Sequence, residues 1–257
     1  MSDNTDENID DLIASGSDIA GAAIGGAVGL IGGAPGAIGG AAGGVIAARA
    51  LKRIGLEISQ RLLGPREKTR VGATLALAAV EIDERIKKGE KLRDDDFFEQ
   101  TKHGRKKSEE FAEAVLLKAQ REAEEKKIPY LAVFLANAAF DSALNIEMAH
   151  QIVKAAESLT YRQFVLFKVA VLRKHLGLRN GRFGAGNFDR MTIQLVYEIY
   201  DLARREYLNF EGNAVLGVSD IDPSTMAPMG MGAHIYNYLR LSNVPEAEVI
   251  AIAELLK

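Results

Sequence analysis

Apolar positions along the chain fall into two regimes. From residue 65 onward they recur three and four residues apart, the spacing of one helical face. Pro65 opens the first such segment, with Val71, Leu75, Ala78 or Ala79 and Ile82 on one side and Lys87-Lys88-Gly89 as its stop. Asp94 to Phe98 reads as a capped start. Ser108 opens a charged helix bearing Phe111, Val115, Leu116 and Ala119, which ends before Ile128-Pro129. An apolar segment, Tyr130 to Phe140, follows, and then Asn145 leads Ile146 to Leu159. Thr160 and Gln163 form a capping box ahead of Phe164 to Leu172, and Asp189 leads a helix to about Tyr207. Pro245 to Lys257 is a short terminal helix. Ala214 to Val218 and the Gly/Met/Pro-rich run Pro223 to Gly232 read as a loop or small hairpin, and no strand–helix–strand unit is visible.

Residues 19–48 obey a different rule. All thirty lack a charge or a side-chain hydrogen-bonding group, and 11 are Gly and 10 Ala. Three copies of I-G-G-A-x-G-x start at Ile24, Ile31 and Ile38, a strict period of seven. On a helix, Gly25, Gly29, Gly32, Gly36, Gly39 and Gly43 make one seam without side chains. Ile24, Ala27, Ile31, Ala34, Ile38, Ala41, Val45 and Ala48 make a second stripe of alternating size. In water each Gly costs about 1 kcal/mol of helix propensity relative to Ala. In hydrocarbon the helix is enforced, and glycine lets neighbouring backbones approach closely.

The window is long enough for a bilayer core of about 30 Å, and its heptad phase runs through Pro35 unbroken, which favours one kinked pass over a hairpin. A period of seven predicts a left-handed bundle of like helices. Eight large aliphatics contribute only about 2–5 kcal/mol to insertion, so self-association is needed to hold the span. Ahead of it, Asp3, Asp6, Glu7, Asp10, Asp11 and Asp18 form an acidic tail without Lys or Arg. Behind it stand Arg49, Lys52, Arg53, Arg61, Arg66, Lys68 and Arg70 against Glu57 and Glu67. The basic side stays in the cytosol.

The expected architecture is therefore all-α: an acidic tail (1–18), a single-pass Gly/Ala-rich transmembrane helix (19–48), a basic juxtamembrane helix (49–64) and a helical cytosolic ligand-sensing domain (65–257). A division of that last domain near Gly177 to Asn187 is the variant of this scheme. The expected location is the inner (cytoplasmic) membrane.

Composition changes the picture mainly by exclusion. Lys+Arg 32 against Asp+Glu 35 gives a net charge of -3, which rules out binding nucleic acid by bulk charge. Zero Cys removes disulfides, thiolate metal sites and a cysteine nucleophile. His103, His150, His175 and His234 show no metal-ligand spacing, and no phosphate-binding loop occurs. The run Gly181 to Gly186 lacks the preceding strand and following Lys of such a loop and reads as a turn. Asp94-Asp95-Asp96 and Glu109-Glu110 suit helix capping better than acid–base work. No catalytic residue, cofactor or metal is called for, and an enzyme is not expected.

Two basic clusters remain. Lys102, His103, Arg105, Lys106 and Lys107 precede a helix N-terminus, and Arg173, Lys174, His175, Arg179 and Arg182 surround a second loop. Helix N-termini beside Arg and Lys receive phosphate, and Tyr161, Phe183 and Phe188 offer surfaces on which bases stack. The ligand-binding candidates are Lys102, Arg105, Lys106, Lys107, Arg173, Lys174, Arg179 and Arg182. A solvated charged face is the alternative for each cluster.

The layout, together with Arg66 to Arg70, Arg93-Asp94-Asp95 and Ile128-Pro129-Tyr130-Leu131, resembles the Hailong-type membrane effectors of bacterial anti-phage systems. That resemblance implies a homo-oligomeric, tetrameric ion channel restrained by a single-stranded DNA oligomer that a partner nucleotidyltransferase makes. It carries over no ligand-binding residue. The rival expectations are a membrane-anchored adaptor that recruits cytosolic partners without conducting ions, and a soluble helical enzyme or binder with a buried Gly/Ala helix.

Overall fold

The computed structural model describes residues 64–99, 104, 106–184, 188–212 and 214–257. The glycine seam, the proposed span, the juxtamembrane helix up to residue 63, and Lys102 and Arg105 lie outside the described residues. Among the described residues no helix is long and apolar enough to cross a membrane.

The chain divides into two compact units, the first running through Glu157 and the second from Ser158 to Lys257. The elements are α1 (Pro65–Lys87), α2 (Lys107–Arg121), α3 (Ile128–Ala138), α4 (Ile146–Ser158), α5 (Tyr161–Leu172), α6 (Arg190–Arg204), β1 (Leu208–Phe210), β2 (Met226–Pro228), α7 (Met231–Tyr238) and α8 (Glu246–Glu254). The described chain is thus mostly helical, as its periodicity predicts, with one antiparallel pair of short strands, Leu208 opposite Pro228 and Phe210 opposite Met226.

Each unit is built around a helix that is apolar on nearly all sides, the pattern of a helix surrounded by protein. In the first unit this is α3, where Tyr130, Leu131, Ala132, Phe134, Leu135 and Ala136 are all buried. Helices α1 and α2 pack against it and on each other. Phe111 of α2 meets Phe134 edge to face, ring centroids 5.2 Å apart. Lys118 Nζ, 2.6 Å from Glu157 Oε2, ties α2 to α4. In the second unit the central helix is α5, with Phe164 to Phe167 consecutively buried. Around it pack α6, α7, α8 and β2. Gln163 Nε2 donates to Asp201 Oδ2 at 2.9 Å, and Arg162 grips the Glu198 carboxylate with two donors, joining α5 to α6.

Several starts follow the expected chemistry. Thr160 Oγ1 accepts from Gln163 N at 3.1 Å while Gln163 Oε1 accepts from Thr160 N at 3.0 Å. Asp189 Oδ1 accepts from Met191 N and Thr192 N at 2.8 and 3.1 Å, and Asn145 Oδ1 from Met148 N at 2.8 Å. Ser108 does not cap α2. It is buried inside the first turn, and Lys106 holds the cap position with its N–H bonded to Glu109 Oε2 at 3.3 Å. Asp94 to Phe98 forms only a short 3-10 turn, Asp96–Phe98. The Gly/Met/Pro-rich run ends inside a helix, Met231–Tyr238, whose first two residues, Met231 and Gly232, belong to it.

One polar group organises the turn after α1. The Arg93 side chain is 4% exposed. Its Nε and Nη2 lie 2.7 and 2.5 Å from the two oxygens of Asp95, and Nη1 donates to the carbonyls of Ala138 and Leu144 at 3.1 and 3.0 Å. The same guanidinium lies 4.3 Å from the centre of the Phe97 ring. Hydrogen bonding from Arg93 holds the Asp95 carboxyl below its ordinary value. A carboxyl depressed in the folded state contributes stability above its unfolded pKa, about 3.9, and loses it as pH falls through the folded value. Acid unfolding of the Asp95→Asn variant, followed by far-UV circular dichroism, is therefore expected to be less steep below about pH 4 than that of the wild type. Identical acid profiles would show that the pair carries no such linkage.

Candidate functional site

Of the first basic cluster the structure describes Lys106 and Lys107. The first turn of α2 carries Glu109 and Glu110, and Glu109 is buried with its carboxylate on the Lys106 amide. Lys107 Nζ sits 2.7 Å from Asp96 Oδ2, and this contact holds the Lys107 ammonium above its ordinary pKa. A carboxylate of the chain thus occupies the place at the helix start that a phosphate would take.

The second cluster divides. Arg173 pairs through Nη2 with Glu211, donates through Nη1 to the Ala170 carbonyl at 3.1 Å, and holds the Glu211 carboxyl below its usual range. Lys174 is exposed beside it and adds to the same field. Arg179 and Arg182 belong to a separate construction, a loop folded back on the segment before β2. Arg179 N donates to the Leu256 carbonyl at 2.8 Å, Gly181 N to Asp222 Oδ2 at 3.0 Å, Phe183 N to the Ile221 carbonyl at 3.1 Å and Gly184 N to the Ser219 carbonyl at 3.1 Å. Gly181 and Gly184 take φ of 113° and 58°, left-handed values that a turn with glycine supplies without a Cβ penalty. Asp222, itself buried, bonds Ser224 through its other oxygen at 2.7 Å, which fixes the receiving side. Over its described part, 181–184, the run read in the sequence as a turn is one; Ala185 and Gly186 lie outside the described residues.

This construction forms the wall of a recess of about 160 Å³ lined by Phe183, Gly184, Phe188, Ile193, Val196, Tyr197, Val218 and Ser219. Phe183 and Phe188 meet edge to face with centroids 4.9 Å apart. The Arg179 guanidinium lies 5.5 and 5.4 Å from the two ring centres, within cation–π range. Its Nε is buried and has no hydrogen-bond partner. Arg182, 54% exposed, stands next in the chain to Phe183 and reaches Asp220 Oδ1 at only 3.4 Å. Asp220 is committed through its other oxygen to the amides of Leu216 and Gly217, at 3.0 and 3.1 Å. On the far side α6 presents Ile193 and Tyr197 one turn apart, Tyr197 being 58% exposed. The α6 start is fixed by the Asp189 cap and by Thr192 Oγ1, which lies 3.4 Å from the Leu255 carbonyl.

The stacking candidates are thereby re-sorted. Tyr161 is 8% exposed at the start of α5 and offers no face to a ligand. Phe183 is buried as a wall and Phe188 is half-buried. Tyr197, which reads in sequence as one more apolar position of α6, is the exposed ring. Its signal is the extra Ile193/Tyr197 pair one turn apart, beyond the buried face of Thr192, Leu195, Val196, Ile199 and Leu202.

Compared with known proteins, the chain matches no family, no curated protein and no solved structure. Among the described residues no group of three or more His, Cys, Asp or Glu is placed to hold a metal ion.

Proposed function

We propose that the chain is a self-associating membrane effector of bacterial anti-phage defence, a homo-oligomer, probed first as a tetramer, that forms an ion channel or pore in the inner membrane. A nucleotide or short single-stranded DNA, the product of a partner nucleotidyltransferase, binds its helical C-terminal region on the cytosolic side and controls conduction. The observation that carries this reading is the heptad glycine seam from Gly25 to Gly43 inside thirty uncharged residues. Such a seam is unfavourable for a helix in water and productive where lipid enforces the helix and like helices pack. The layout shared with Hailong-type effectors and the aromatic recess flanked by Arg179 and Arg182 support the ligand part.

Replacing Gly32 and Gly36 by Leu separates the backbones at the middle of the seam. In membranes from expressing cells, cross-linked oligomers and ion flux are expected to disappear together while the protein stays membrane-bound. Unchanged cross-linking and conductance would remove the seam from the account.

A second reading is favoured by one specific observation. Leu216 is 84% exposed, and its carbonyl accepts from the Tyr200 hydroxyl of α6, the helix that also carries the exposed Ile193 and Tyr197, apolar side chains of the kind that protein partners cover. On this reading the chain is a membrane-anchored adaptor that conducts nothing. Flux from liposomes carrying the purified full chain separates the two: an ion leak supports the channel, and sealed liposomes that still hold the oligomer support the adaptor.

A further inference from the structure

Charge does not single out a binding surface in the second unit. Arg173 is paired with Glu211 and with a carbonyl, and Arg182 faces Asp220, so a phosphate would have to displace carboxylates already in place. The recess has a different character. Among the described residues no charged side chain lines it, and the side-chain hydrogen-bonding groups there are the hydroxyls of Tyr197 and Ser219. Its volume of about 160 Å³ is well below the roughly 300–1,000 Å³ of sites that enclose a whole drug-sized ligand. It accommodates a part of a ligand, and that part is uncharged.

The walls specify the shape of the part. Phe188 lines it from the loop and Tyr197 from α6, two aromatic rings, and Tyr197 and Ser219 bring hydroxyls to the same lining. An aliphatic anchor would use the area but neither the flat geometry nor the hydroxyls. The Arg179 guanidinium lies 5.5 and 5.4 Å from the Phe183 and Phe188 ring centres, and its buried Nε–H lacks an acceptor. This combination suits a planar heteroaromatic ring.

We propose that the recess between Phe188 and Tyr197 receives a single nucleobase of the ligand, and that ring contact rather than phosphate pairing supplies most of the affinity. The inference rests on the reading that this region binds a nucleotide or short single-stranded DNA. It goes beyond that reading in assigning the site to neutral groups rather than to Arg173 and Arg182.

The test uses the full chain in detergent micelles and a fluorescein-labelled single-stranded DNA hexamer of mixed sequence, read by fluorescence polarisation. Tyr197→Ala and Phe188→Leu are each expected to weaken binding about tenfold, the scale of one lost base–aromatic stack. Tyr197→Phe keeps the ring and restores binding to within about twofold. Lys174→Ala, on the exposed basic face, leaves affinity within about twofold, and the logarithmic salt slope stays shallower than about −1, since each single-strand phosphate contact contributes roughly −0.7. A hexamer of the same backbone without bases does not bind. Exposure of Tyr197 keeps its variants folded, which far-UV circular dichroism checks.

If the wild type binds the hexamer but Tyr197→Ala binds equally well, or the base-free hexamer competes equally, the recess assignment is overturned while ligand binding stands. If the wild type binds no hexamer under any salt condition, the functional reading itself falls, and the assignment with it.

Discussion

Gly232→Ala is expected to destabilise the second unit by about 3 kcal/mol, at the upper end of the cost of forcing an extra methyl into a packed site. A Cβ built on Gly232 would stand 2.0 Å from the Tyr207 carbonyl oxygen and 2.7 and 2.9 Å from the carbonyl carbon and Cα of the same residue. These are backbone atoms, and they are held from both sides. Tyr207 N donates to the Leu202 carbonyl at 2.9 Å after the left-handed turn at Glu206, and the Tyr207 carbonyl accepts from Met229 N at 3.0 Å. Immediately afterwards Leu208 pairs with Pro228. Relief of the clash therefore requires α7 to lift off the corner between α6 and β1, which opens the core beneath Ile235. At roughly 4–8 °C per kcal/mol for a domain of this size, the thermal midpoint of the full chain in detergent drops by more than about 10 °C. Gly217→Ala is the control, because the nearest atom to its added Cβ is the Ser219 hydroxyl at 3.9 Å. Equal midpoints for the two variants would mean that α7 is not seated as described.

Arg93→Lys is expected to cost the first unit about 3 kcal/mol although it conserves charge, the magnitude of breaking a buried ion pair from one side. The guanidinium fork serves four acceptors at once: both oxygens of Asp95 and the carbonyls of Ala138 and Leu144. It also lies over the Phe97 ring, 4.3 Å from its centre. A lysine ammonium is a compact point charge on a flexible stem and cannot repeat that plane. Whichever acceptor it reaches, buried carbonyls at the end of α3 are left without a donor. Urea unfolding of the full chain should show the loss, and amide exchange at Phe140 to Leu144 should accelerate with it. A cost below about 1 kcal/mol would reduce Arg93 to an ordinary surface charge.

How much of this could be read from the residues depended on range. Helix starts rest on contacts within three residues, so the Thr160/Gln163 box, the Asp189 and Asn145 caps and Pro65 were legible as written. Ser108 misled because a hydroxyl before an apolar run looks like a cap, whereas the acid at Glu109 reached back one residue further. The second strand falls in the run read as a loop or small hairpin, but the first was hidden because three residues are too short to show alternation and Leu208 to Phe210 continues the α6 pattern. The helix Met231–Tyr238 was hidden because its Gly-rich start is dictated by close approach to Tyr207. The site divides in the same way. Clustering of Arg173, Lys174, Arg179 and Arg182 is a local fact, but their partners Glu211 and Asp220 lie 38 residues away in the chain, and nothing local announces them. Tyr161 and Tyr197 are alike in sequence and opposite in exposure, since only the fold decides which ring faces out.

The bonds from Arg179 N to the Leu256 carbonyl and from Thr192 Oγ1 to the Leu255 carbonyl have a practical consequence for anyone preparing this protein. The same dipeptide near the carboxyl end steadies the loop on one side of the recess and the first turn of α6 on the other, so a sample nicked by a protease after Glu254 would keep its helices and lose the spacing between Phe188 and Tyr197. Intact-mass measurement belongs before any titration, because a trimmed batch would imitate a binding-deficient mutant.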